Sequence, residues 1–292
     1  MSCILFIETS TKVCSVAVSE DNHIIYHKED YEGPNQARIL APMVKEALSF
    51  ADSHAIPLDA VSVSAGPGSY TGLRIGVSTA KGLCYGRDLK LISIPTLKVL
   101  CTPILLYRED IPDNALLCPM IDARRMEVYT AIFDRALHEV VPTDAVIVNE
   151  NSFAEILDKQ PVFFFGNGAD KCRDTLKHPN AHFIEGIVPK ASNMLPLAER
   201  ALALNETEDV AYYEPFYLKQ FEKAKTCSTD KKRTSFCTPF PLFAPPPHPQ
   251  ETAPQEATGA KPKNPTSSTW HLNTTQQKKN CDSPHTGAWC KR

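Results

Sequence analysis

The sequence predicts an α/β fold of two similar lobes with mixed sheets, followed by a C-terminal tail that has no core of its own. Three observations carry this. Strand-like and helix-like patterns alternate through residues 1–225, and a strand–acid–polar turn–strand pattern near the N-terminus begins again at Leu116. From Thr226 onward the aliphatic residues all but vanish.

Taken in order, Ile4 to Ile7 is a continuous apolar strand, broken by the polar Glu8-Thr-Ser-Thr11. Val13 to Val18 is a second strand and Ile24 to His27 a third, which gives an antiparallel meander. Asn35 can cap a helix whose apolar face is Ile39, Leu40, Met43, Val44, Ala47 and Leu48, bent at Pro42. The next strand alternates Val61, Val63 and Ala65 and enters Gly66-Pro67-Gly68, a turn that needs positive φ at a glycine and fixes φ at the proline. Ser69 and Thr71 place hydroxyls where a helix N-cap belongs, and Leu73, Val77, Ala80, Leu83 and Cys84 follow at helical spacing. Leu89 to Ile94 is a strand stopped by Pro95, and Thr96 to Leu106 a helix that Pro103 ends or bends.

At Leu116 the pattern restarts. Leu116 to Ile121 is apolar, Asp122-Ala-Arg-Arg125 is a polar turn, and Glu127 to Phe133 is a strand. Glu8 aligns with Asp122, and Val16-Ala17-Val18 with Thr130-Ala131-Ile132, at a constant offset. Two similar lobes with a cleft between them are the arrangement of the actin, sugar-kinase and chaperone ATPase superfamily. The second lobe continues with a helix from Ser152 to Leu157 capped by Asn151 or Ser152, and a buried strand from Val162 to Phe165. A turn at Gly166-Asn-Gly168, a helix from Cys172 to Leu176 and an amphipathic helix from Ala191 to Leu204 complete it. The lobes are drawn at residues 1–110 and 111–225, with the tail at 226–292.

The last 67 residues contain no Val, Ile or Met and only two leucines, Leu242 and Leu272. Such a segment cannot offset an ordering cost of roughly 1–2 kcal/mol per residue by apolar burial, and is expected to be disordered. Its cysteines, Cys227, Cys237, Cys281 and Cys290, have no metal-ligand spacing. A frameshift or read-through near Phe221 would leave the same break in composition.

The net charge of −3 offers no basic stripe for a nucleic-acid backbone. No apolar run approaches the ~18 residues of a membrane span, and the N-terminus lacks a basic-then-apolar signal segment. Cys3, Cys14, Cys84, Cys101, Cys118 and Cys172 form no CxxC pair and read as small buried thiols of a reducing cytosol, so the expected location is cytoplasmic.

Strand, glycine turn and capped helix aim unpaired N–H groups at one spot, which suits a phosphate or a carboxylate. The candidate contacts there, for a phosphate or a partner, are Gly66, Gly68, Ser69, Thr71, Gly72 and Arg74. The competing reading is that Gly68, Gly72 and Gly76 let the helix lie close against the sheet. The loop matches neither GxGxxG nor GxxxxGK[ST].

As a whole, Ala65-Gly-Pro-Gly-Ser-Tyr-Thr-Gly-Leu-Arg-Ile-Gly76 closely resembles the signature of the TsaB/TsaD (YeaZ/Gcp) family, whose members make threonylcarbamoyladenosine in tRNA. The resemblance extends to Ile4–Ser10, Met120–Tyr129 and Phe216–Lys219, and covers about residues 1–222. It implies a Gcp-like domain with an actin-like, sugar-kinase-like fold. Glu8 and Asp122 fall where this superfamily's ATPases hold a Mg-associated acid, and with Thr9 and Ser10 they mark a candidate vestigial nucleotide cleft. The N-terminal hairpin lacks the glycine such ATPases carry near Thr9-Ser10-Thr11, which leaves turn capping as the expected role of the two acids.

TsaD carries an HxxxH pair on a helix, where i and i+4 share a face. Here His23 and His27 lie in a strand, about 13 Å apart, and His178 and His182 enclose Pro179, so no metal site or other cofactor is expected. The first long helix has Gln36 where relatives show a histidine. Ser64 and Ser69 lack a GxSxG context and a histidine partner, which disfavours a peptidase.

In the family the helices here at Ile39–Leu48 and Leu73–Leu83 form the interface with TsaD or a second copy. Their small and apolar residues on more than one side fit that, and the candidate interface residues are Leu40, Val44, Gly76, Thr79 and Leu83. Arg74, Arg124 and Arg125 could contact tRNA phosphates or a partner carboxylate. The resemblance thus implies a TsaB-type subunit without a catalytic centre, partner of TsaD, the enzyme that transfers threonylcarbamoyl to N6 of the adenosine beside the anticodon. The ATPase TsaE would dock on the pair, tRNA would be met through the complex, and a homodimer of the lone protein is left open. The alternative is an independent ATP-dependent kinase or ATPase of the same fold, against which the missing hairpin glycine speaks.

Overall fold

The computed structural model of the chain describes residues 2–33 and 35–219. The expectation of a disordered tail at 226–292, and of its four cysteines, lies outside the described residues.

Among the described residues ten strands form two five-stranded mixed sheets. In the first, β1 (Cys3–Glu8), β2 (Cys14–Glu20) and β3 (His23–Asp30) make an antiparallel meander. Helix α1 (Gln36–Ser53) leads to β4 (Ala60–Gly66), parallel to β1, and α2 (Tyr70–Arg87) leads to β5 (Lys90–Pro95), parallel to β4. Helix α3 (Thr96–Tyr107) precedes the second sheet of β6 (Leu116–Asp122), β7 (Glu127–Phe133), β8 (Glu139–Ile147), β9 (Val162–Phe165) and β10 (Ala181–Ile184). The two sheets run β3-β2-β1-β4-β5 and β8-β7-β6-β9-β10. This is one order used twice, the duplicated α/β architecture that the repeated sequence pattern predicts.

The uninterrupted apolar run of β1 follows from burial on both faces. Leu5 and Ile7 pack under α1 and α2 with Leu40, Met43, Val77 and Ala80. Ile4 and Phe6 face the other way, onto Val99 of α3, Met194, and Ala198 and Ala201 of helix α5 (Leu195–Ala203). The other side of α3 (Leu97, Leu100, Cys101, Ile104) covers the second sheet at Leu117, Ile121 and Phe133. All six described cysteines are buried free thiols, and burial pushes Cys14 and Cys118 up to about 12, which suppresses the reactive thiolate. No helix among the described residues is long and apolar enough to cross a membrane.

Several local expectations need correction. Helix α1 carries Pro42 in its interior as expected, and of the two outcomes expected at Pro103 an end to α3 is excluded, since the helix runs on to Tyr107. Helix α4 is one turn, Ala154–Leu157, rather than 152–157. The expected helix at 172–176 is a 3-10 turn, Asp170–Cys172, followed by further turns. The expected helix 191–204 is a 3-10 turn at Ala191–Met194 and α5 after it, because Pro196 suits a first helical turn and not an interior. Strands β8 and β10 were not expected. The first is a solvent-facing edge strand carrying Pro142 and Asp144, and the second has only four residues.

Candidate functional site

The first sheet delivers the glycine turn against the β1–β2 turn, and the fit between them decides what the turn can bind. Gly66 takes φ +109°, the left-handed region expected of it. Ser69 is the N-cap of α2, its hydroxyl accepting from Gly72 N at 3.3 Å. Ser69 N donates to Ser10 O at 2.6 Å, and Thr9 Oγ1 donates to Gly72 O at 2.8 Å. A Cβ at Gly68, Gly72 or Gly76 would come closer than 3.0 Å to Ser10 O, Thr9 O and Thr9 Oγ1 respectively, and one at Gly66 would meet Phe216 O. The chain's own Thr9-Ser10 backbone therefore fills the space in front of the α2 N-terminus. Gly66, Gly68 and Gly72 thus serve close packing, the competing reading of the glycine turn. Ser69, Thr71 and Arg74 stay at the surface, with Arg74 stacked over the Tyr70 ring at 5.5 Å.

The two aligned acids do the same local job in very different surroundings. Glu8 Oε1 accepts from Ser10 N at 2.6 Å, and Asp122 Oδ1 from Arg124 N at 3.0 Å, each closing its own hairpin turn. Glu8 is fully buried, and among the described residues its Oε2 has no hydrogen-bond partner, nor have the buried hydroxyls of Ser10, Thr11 and Ser64. Desolvation pushes Glu8 up to about 7 against the nearby hydroxyl and amide dipoles; Ser64 contributes to that opposition from outside hydrogen-bonding geometry. Desolvation also acts on Asp122, but hydrogen bonds from Lys171 and Arg124 N outweigh it and hold the carboxyl below its usual range. Lys171 Nζ in addition donates to Arg125 O and Glu127 O, both at 2.7 Å, so one ammonium plugs the whole β6–β7 turn.

The duplication extends to the glycines. Gly166 and Gly168 lie at the end of β9 as Gly66 and Gly68 lie at the end of β4, and their missing Cβ atoms would overlap Met120 and Ile121 of β6. Asn167 Oδ1 accepts from Asp122 N at 3.1 Å. Lys171 and Asn167 escape sequence reasoning because nothing local marks them. The only available signal is the second Gly-x-Gly at the same place in the repeat.

The histidines do not converge. His23 and His27 both lie on β3; His178 lies 3.4 Å from Asp158, and His182 on β10 stacks on Phe163. Among the described residues no group of three His, Cys, Asp or Glu side chains could hold a metal ion. Gln36 Nε2 donates to Thr11 O at 2.6 Å and pins the start of α1 to the β1–β2 turn.

Between α1 and α2 runs an open, largely apolar groove of about 440 Å³, lined by Ala41, Val44, Lys45, Leu48, Ser78, Thr79 and Leu83 among others. A bidentate Arg87–Asp52 pair, both arms at 3.0 Å, closes one end. Leu83 and Leu48 are half-buried, and Val44 forms the buried floor. Leu40 and Gly76 do not reach the groove: Leu40 packs on the sheet, and Gly76 abuts Thr9. Their reading as interface residues is therefore corrected, because a side chain added at Gly76 would strike the β1–β2 turn before it met any partner.

Over 222 residues the chain is 32% identical to the tRNA threonylcarbamoyladenosine biosynthesis protein TsaB of Escherichia coli, covering 74% of this chain and 94% of that one. This chain belongs to the TsaB (YeaZ) family. The TsaB of Haemophilus influenzae is 30% identical over 229 residues, covering 74% of this chain and 93% of that one. A family model described as TsaD, tRNA N6-adenosine threonylcarbamoyltransferase, matches residues 33–225. The solved YeaZ structure from Pseudomonas aeruginosa superposes with a TM-score of 0.63 at 25% identity, over 75% of this chain and all of that one. In this TsaB-family chain the glycine segment at the start of α2 thus serves internal packing, and the open groove lies further along the same helix, from Ser78 to Arg87.

Proposed function

We propose that this chain is a TsaB-type subunit without a catalytic centre, which docks TsaD on the α1–α2 groove and supports threonylcarbamoyl transfer to N6 of the adenosine next to the anticodon. Family membership supports a role in threonylcarbamoyladenosine biosynthesis; the finer reading rests on one contrast. The first turns of α2 are closed off by Thr9-Ser10, whereas its later turns, from Ser78 to Arg87, line an apolar groove of a size that suits a helix from a partner. TsaE joins the pair, tRNA reaches this subunit as part of the complex in the cytoplasm, and a second copy covers the groove when TsaD is absent.

Leu83→Glu tests the docking. In the free chain Lys45 across the groove can pair with the new carboxylate, so the melt should stay within a few degrees. Docking must strip water from that pair, which costs several kcal/mol when the geometry is imperfect. Capture of TsaD should fall at least tenfold; unchanged capture with an unchanged melt overturns the reading. Calorimetry with ATP and Mg²⁺ gives a second check. With the cradle occupied by the chain itself, no stoichiometric low-micromolar binding is expected, and such binding would point to an ATPase instead.

A further inference from the structure

The cations around the β6–β7 turn form a surface that the docking groove does not use. We infer that Lys12, Arg124 and Arg125, together with the Arg74–Tyr70–Tyr217 stack that Lys219 ties to the same turn, form a direct docking surface for the phosphodiester backbone and unpaired bases of RNA. This rests on the reading of the chain as a tRNA-modification subunit and goes beyond it, because it gives this subunit its own contact with the nucleic acid.

Arg124 and Arg125 sit at the tip of the turn with φ of +73° and +49°, a backbone that side-chain-bearing residues seldom adopt, and both are exposed. Their side chains make no ion pair among the described residues, whereas the two carboxylates of the turn are already matched. Asp122 is paired with Lys171, and Glu127 with Lys219. Lys12, at the tip of the other hairpin, is exposed and close enough to Asp122 to act on its charge. What remains toward solvent is a cluster of cations from two hairpins with its local acids neutralised.

The C-terminal strap joins this cluster to an aromatic platform. Phe216 N donates to Ala65 O at 2.8 Å, and the Tyr217 ring lies 4.8 Å from that of Tyr70, over which Arg74 stacks. Two residues later Lys219 reaches Glu127. Glu214 lies near Tyr217 and is the opposing charge on this side. Guanidinium and aromatic planes beside backbone-pairing cations are the combination that holds single-stranded RNA, and an acidic protein face would not call for the stacked rings.

The test titrates an unmodified tRNA transcript against the full chain, alone and with TsaD, across a range of salt. Arg124→Glu/Arg125→Glu should weaken binding at least tenfold at about 0.1 M salt and lower the slope of log K on log salt by about 2. Lys159→Glu, a surface charge elsewhere, should change it less than about twofold. Lys12→Glu, on the other hairpin, gives an independent measure should the double variant melt early. Unchanged affinity and slope with TsaD capture intact overturn the inference and leave the subunit reading standing. Lost TsaD capture with unchanged tRNA affinity also overturns it, making the surface a protein face. Failure of the unaltered chain to capture TsaD, with the tRNA effect present, counts against the subunit reading alone.

Discussion

Gly72→Ala is expected to destabilise the chain by about 3 kcal/mol, although alanine is the better helix former by about 1 kcal/mol. Gly72 lies in the first turn of α2, and an added Cβ would come closer than 3.0 Å to Thr9 O. That oxygen belongs to the backbone at the end of β1, so no rotamer change relieves the overlap. Either α2 lifts from the sheet or the β1–β2 turn moves, and both disturb the Thr9 Oγ1–Gly72 O and Ser69 N–Ser10 O bonds. A thermal melt should drop by roughly 6–12 °C, at 2–4 °C per kcal/mol for a unit of this size. Gly86→Ala in the same helix is the matched control. A Cβ there meets nothing within 4 Å, so the melt should hold or rise slightly. Equal behaviour of the two variants would show that close packing is not what the glycine at 72 provides.

Glu8→Gln should stabilise the chain at alkaline pH and do little in acid. The folded-state pKa of Glu8 is raised to about 7 from 4.5, so the native state binds the proton more tightly than the unfolded chain. The stability this group contributes is fully present below about pH 4.5 and declines as pH rises toward 7. Above about 7 it is lost, and keeping the carboxylate ionised there costs about 3 kcal/mol. Glutamine keeps an oxygen for Ser10 N, carries no charge, and offers an amide to the unpartnered hydroxyls around it. Denaturant titrations at pH 5 and pH 8 should show the variant ahead by about 3 kcal/mol at pH 8 and by much less at pH 5. An equal gap at both values would mean that Glu8 is not the group that titrates.

How much of this was legible in the sequence depended on whether the relevant physics is local. Runs such as Ile4–Ile7 and Val162–Phe165 announce strands buried on both faces, and Gly66-Pro-Gly68 with Ser69 announces a turn and a cap, because backbone preference and apolar spacing act within a few residues. The repeat of Glu8 in Asp122 was enough to foresee a duplicated architecture, and the sheet order bears that out. Edge strand β8 was missed for the same reason: with Pro142 and half-exposed side chains, it takes its strand conformation from β7 and not from its own pattern.

The sequence by itself determined most of the elements of the first sheet and its helices, the duplication, the cap and the family signature. Only the tertiary structure decided what each of these faces. Spacing places glycines along α2 but cannot tell whether the space beside them holds a ligand or Thr9; here the chain's own turn fills it. Likewise Glu8 and Asp122 are equivalent acids in sequence, yet one sits in a dry pocket and is raised to about 7, while the other pairs with Lys171 from 49 residues away and is lowered. Desolvation and long-range pairing are properties of the packed neighbours, and those neighbours come from parts of the chain whose distance in sequence carries no local signal.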